Sequence, residues 1–151
     1  MPHPIMFDDD DPYLVRLRRV ALEFPDAEEQ VGHGRPQFRA GASGKVFAVY
    51  GSGTKGPAAT RVMYPHGLVL LPDEDDRLAL AADPRVFVPA YYVPSGWIGI
   101  DLADGGTAPE DVDWQEIAEL LDASYRQVAG RSRVARLDAD GGPAARGLSP
   151  A

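Results

Sequence analysis

The chain contains no cysteine, and that single absence removes disulfides, thiolate nucleophiles and thiolate metal ligands together. Histidine is nearly as scarce. His3, His33 and His66 stand far apart, in segments that read as a terminus and two loops, a poor ligand set for a metal centre. No apolar run approaches the length that spans a bilayer. Asp8 to Asp11 occupy the place where an export signal needs a basic start and an apolar stretch, so a cytoplasmic location is expected. There is no Gly-x-Ser-x-Gly elbow, and neither Ser95 nor Ser124 has a histidine close by in sequence. Catalysis, a cofactor and a metal site are not expected.

One further absence is local. Between Gln30 and Asp73 there is no acidic residue, while Arg35, Arg39, Lys45, Lys55 and Arg61 all fall inside that interval. From Asp73 to Asp122 the balance reverses, with thirteen acids against Arg77 and Arg85. The C-terminal region turns basic again through Arg126, Arg131, Arg133, Arg136 and Arg146. A net charge of −8 argues against a protein that coats nucleic acid indiscriminately. The segregation argues for an acidic protein with one basic surface, built by its middle third.

What is present fits one domain with a proper core, since 151 residues are too few for two comfortable ones. Residues 1–10 read as a flexible lead, residues 11–137 as the domain and residues 138–151 as a disordered, Gly/Pro-rich tail. Asp11-Pro12 opens a helix as N-cap and first residue, with Leu14, Leu17, Ala21 and Phe24 as its buried stripe and Pro25 as its end. Strands are expected from Pro36 to Ala40 and from Lys45 to Tyr50. Alternation puts Arg35, Gln37 and Arg39 opposite Phe38, and Lys45, Phe47 and Val49 opposite Val46, Ala48 and Tyr50. Another strand is expected over Thr60 to Tyr64, then a turn at Pro65-His66-Gly67 and a short strand from Leu68 to Leu71. Asp73 to Asp76 begin a helix that stops at Asp83-Pro84. The most aromatic stretch, Asp83 to Leu102, reads as a hairpin: Val86 to Val93, a turn at Pro94-Ser95-Gly96, and Trp97 to Leu102. Asp113-Trp114-Gln115-Glu116 is a capping box. Trp114, Ile117, Leu121, Tyr125 and Val128 then form a helical stripe that must pack on the sheet.

Two motifs are weighed and set aside. Gly51-Ser52-Gly53-Thr54-Lys55-Gly56 matches a phosphate loop by letter, but a strand follows it rather than the helix such a loop requires. It reads as a flexible hairpin tip, a wing whose lysine could meet a phosphate backbone. The acids at 73–76 lack the spaced loop with a glycine turn that calcium needs. Tyr91, Tyr92 and Trp97 are candidates for a base-stacking or ligand platform, against ordinary hairpin packing.

The runs Gly34-Arg35-Pro36-Gln37-Phe38-Arg39, Gly44-Lys45-Val46-Phe47-Ala48, Asp83-Pro84-Arg85 through Pro89-Ala90-Tyr91, Gly96-Trp97-Ile98-Gly99 and Asp113-Trp114 through Ser124-Tyr125 together resemble the MmcQ/YjbR family. The resemblance covers about Tyr13 to Leu137. It implies a CyaY/frataxin-like α+β fold: one two-layer domain, an antiparallel sheet of about five strands with helices on one face. It also implies a double-wing DNA-binding role, without established catalytic residues. Similar chains carry a formyltransferase label, but that enzyme's nucleotide-binding pattern is missing here. The expectation is a non-enzymatic, DNA-binding or regulatory protein whose contacts are Arg35, Arg39, Lys45, Lys55 and Arg61. The rivals are a protein- or small-ligand-binding module using the aromatic hairpin, and a frataxin-like metal-binding surface made by the acids at 73–76 and 110–122.

Overall fold

A computed structural model describes residues 4–90 and 96–147. The fold is α+β, a six-stranded antiparallel sheet in the order β1-β2-β3-β4-β6-β5. Helix α1 (Pro12–Ala21) begins where expected, with the Asp11 carboxylate accepting from the Tyr13 N–H at 2.9 Å. It ends at Ala21, before Pro25, and Phe24 reaches the core from the loop that follows.

The first strand was not expected. β1 (Ala27–Gly32) is polar and lies at the sheet edge. It joins β2 (Arg35–Ala40) through His33 and Gly34, both at positive φ, as a two-residue type I′ hairpin demands. β3 (Val46–Gly53) pairs with β2 across a bulge between Phe38 and Arg39. That bulge corrects the expected alternation on β3. Phe47 joins Ala48 and Tyr50 in the core instead of sharing the other face with Lys45, because a bulge inserts an extra residue and re-aims side chains.

β4 (Met63–Leu70) replaces the two short strands and intervening turn expected over residues 60–71. Pro65 and His66 are a second bulge within it: Tyr50 pairs with Leu68, yet Ser52 pairs with Tyr64. Helix α2 (Glu74–Leu80) starts on the Asp73 side chain, which accepts from the Asp76 N–H at 2.8 Å. The aromatic hairpin is real but shorter than expected, with β5 (Val86–Phe87) against β6 (Ile98–Asp101). Beyond β5 the chain leaves the ladder, and the Ala90 N–H donates to Gly53 O at 3.0 Å. The Phe87 ring lies over Gly67 and Gly99, where any Cβ would collide with it, and stacks on Tyr64 at 3.9 Å.

Helix α3 (Trp114–Val128) covers the other face. Its Asp113 cap accepts from the Glu116 N–H at 3.1 Å. Buried Ser124 donates to Phe47 O at 2.6 Å and accepts from the Leu71 N–H at 3.0 Å, joining helix to sheet. Tyr125 packs with Phe24 and Phe47 and donates to Pro25 O.

The expected disordered tail is also corrected as far as Gly147. Helices α4 (Arg131–Asp140) and α5 (Gly142–Arg146) fold back on α3, burying Leu137, Gly142 and Pro143. Gln115 Nε2 donates to Ala144 O at 2.7 Å. The lead is held too, since the Met6 N–H donates to Gly34 O at 2.8 Å.

Candidate functional site

The five cations expected to meet nucleic acid lie along one ribbon, made by β2, β3 and the connection to β4. Arg39 and Lys45 stand near the β2–β3 turn, and Arg35 lies beside Gly51 at the other end. Lys55 and Arg61 are carried beyond the sheet on the loop of residues 54–62. That loop is a braced hairpin tip. The Thr54 N–H donates to Val62 O at 2.9 Å, the Val62 N–H to Thr54 Oγ1 at 2.9 Å, and the Arg61 N–H to Pro57 O at 2.9 Å. No helix follows Gly56, so the phosphate-loop reading fails on geometry as well. From Lys45 to Lys55 the ribbon is roughly 30 Å long at ordinary strand rise.

Partnering separates these side chains from most of the other cations, Arg16, Arg19 and Arg131 being the others that lie outside any ion pair among the described residues. Arg18, Arg77, Arg85, Arg126, Arg133, Arg136 and Arg146 each lie within an ion pair. Arg85, in the Asp-Pro-Arg run, holds Asp83 at 2.8 Å and Glu116 at 2.7 Å and ties the β5 edge to α3. Its hydrogen bonds hold the Asp83 carboxyl below the usual carboxylate range. Among the described residues no such ion pair reaches Arg35, Arg39, Lys45, Lys55 or Arg61. Glu28 stands opposite Arg39 in the register without pairing with it.

The five are not equivalent. Lys45, Lys55 and Arg61 are exposed, and Arg35 and Arg39 are half-buried. Arg39 is tied inward, donating to Gly44 O at 2.9 Å and Gln37 Oε1 at 3.3 Å, with a buried, unpartnered Nε. It braces the β2–β3 turn. Of the aromatic candidates, Trp97 is half-buried just before β6, while Tyr91 and Tyr92 lie outside the described residues. The acids at 73–76 begin α2, and no group of three or more metal-ligating side chains is found among the described residues.

A second constellation escaped the sequence reading. The Pro65-His66 bulge aims His66 at Asp11 and Tyr50. Tyr50 Oη donates to Asp11 Oδ2 at 2.5 Å, and His66 Nδ1 lies 2.7 Å from Tyr50 Oη and 3.1 Å from Asp11 Oδ2. Tyr13 packs on the imidazole with ring centroids 4.4 Å apart and donates to Thr107 O. Burial, followed by the Asp11 hydrogen bond, pushes the Tyr50 hydroxyl far above the ordinary tyrosine range. An open cleft of about 480 Å³ lies beside these groups, lined by Met6, Phe7, Asp8, Asp10, Asp11, Pro12, Pro65 and His66. The only forewarning in sequence was the Pro-His-Gly break within a strand-like run. The residues that meet are 55 positions apart.

No curated protein and no solved structure matches the chain. The YjbR family model matches residues 22–127, an interval that runs from the end of α1 to the last turn of α3 and takes in the whole sheet with its unpaired cations. The chain belongs to the YjbR family.

Proposed function

We propose that the protein is a non-catalytic nucleic-acid-binding module that grips the phosphodiester backbone with the β2–β3 ribbon and the wing at residues 54–62. One observation carries the reading: seven of the ten cations elsewhere meet a carboxylate neighbour, whereas among the described residues none of the five on the ribbon and wing does. Unpaired cations release condensed counterions when they meet phosphates, which supplies affinity without reading sequence. Most acids lie in the first 29 residues, on α2 and after β6; of the two on the neighbouring β1, Glu29 is held by Arg18 and Glu28 makes no ion pair with the ribbon among the described residues. Asp11, Tyr50 and the Nδ1 of His66 bond to one another and to the α1 cap, as a clamp between helix and sheet does.

Fluorescence anisotropy of a labelled duplex at two or more salt concentrations tests the proposal. Binding is expected at low salt and is lost steeply as salt rises. The double variant Lys55→Ala/Arg61→Ala should lower the slope of log affinity against log salt by about two, one for each phosphate contact. A wild-type protein that ignores the duplex at low salt sinks the proposal.

A further inference from the structure

Arg35 stands apart from the other cations of the ribbon. It is half-buried, and its guanidinium rests on the backbone of Gly51 in the neighbouring strand, where a Cβ would strike Nη1. Gly51 holds a φ of 83°, so backbone and space both exclude a side chain there. The guanidinium seated on this floor has neither a hydrogen bond nor an ion pair with any described residue; burial alone acts on it, and lowers its pKa. Among the described residues the buried side-chain nitrogens that lack a partner belong to Arg39 and Arg77, so the Arg35 nitrogens remain open to solvent and to a ligand. A planar fork of five donors, partly stripped of water and unmatched, is unfavourable until an acceptor arrives. The acceptor that fits such a fork is an oxyanion presenting two oxygens side by side.

We infer that Arg35, laid on Gly51 at the root of the β3–β4 wing, is a built seat for one phosphate group held through two of its oxygens, with Lys55 and Arg61 on the wing, and Lys45 at the far end of the ribbon, acting as solvated charges. That the phosphate belongs to a nucleic-acid backbone rests on the function proposed above. Free inorganic phosphate offers the same oxygens, and the experiment separates the two sources.

Thermal unfolding of the full chain is followed in phosphate and in chloride at matched ionic strength, alongside the duplex titration. The proteins are wild type, Arg35→Lys, Arg35→Ala and, as a control for loss of a charge, Arg131→Ala on the exposed surface of α4. Phosphate should raise the wild-type midpoint saturably, and Arg131→Ala should behave like wild type. Both Arg35 variants should lose the phosphate shift. Arg35→Lys, which keeps the charge and loses the fork, should bind duplex on the order of tenfold more weakly. A phosphate shift absent from wild type, or undiminished in both Arg35 variants, overturns the seat. A shift abolished by Arg35→Lys in a protein that binds no duplex upholds the seat and overturns the nucleic-acid reading instead.

Discussion

At the scale of single residues, Asp11 shows how many tasks one carboxylate can hold. One oxygen caps α1, and the other accepts from Tyr50 while lying against His66. Losing the side chain would remove the cap and the carboxylate acceptor of the Tyr50 hydroxyl at once, leaving it His66 Nδ1 alone. Asp11→Ala should therefore cost about 2 kcal/mol of unfolding free energy, from a cap and a hydrogen bond to a charged acceptor together. Asp11→Asn, an equally good cap, should cost clearly less. Urea denaturation of the two variants measures the difference, and equal losses would show that the contribution lies in the carboxylate's charge and not in the cap. Arg39 teaches the opposite lesson. Its charge and position made it a contact residue on paper, but its nitrogens turn back to Gly44 and Gln37. A sequence gives a side chain's charge without giving its partner.

At the scale of elements, legibility followed burial. α1 and α3 were readable because cap and apolar stripe agree in each: Asp11 with Leu14 and Leu17, Asp113 with Ile117 and Leu121. β1 was hidden because Ala-Glu-Glu-Gln-Val-Gly carries no apolar alternation. It is an edge strand held by its neighbour's backbone and by the Glu29 carboxylate, which meets Arg18 at 2.8 Å. β4 was cut in two because Pro-His-Gly signals a turn locally, while the ladders on both sides override it as a bulge. The tail was misread for a related reason. Gly141-Gly142-Pro143 has the composition of disorder, yet Gly142 and Pro143 are buried beside Leu137. A chain ending at Asp140 should thus be less stable by about 1–2 kcal/mol, a drop in thermal midpoint of roughly 3–6 °C for a domain of this size. Calorimetry checks this, and an unchanged midpoint would mean that α5 adds nothing to the fold.

At the scale of the whole molecule, charge and topology are arranged together. Sequential hairpins keep the acid-free interval contiguous, so a stretch of sequence becomes a stretch of surface. That is why the candidate interface could be placed in advance, whereas the Asp11–Tyr50–His66 group, assembled from distant positions, could not. The same topology leaves β1 at the rim with its outer side unpaired by any described strand. Six residues of open backbone would template growth by further copies were they not guarded. Glu28 and exposed Val31 mark that rim, so the repulsion between like carboxylates acts as a gatekeeper against fibril formation. Replacing Glu28 with Val should release it: concentration-dependent light scattering and cross-β dye binding are expected from Glu28→Val and not from Glu28→Lys, and two equally quiet variants would show that the rim is protected by something other than charge.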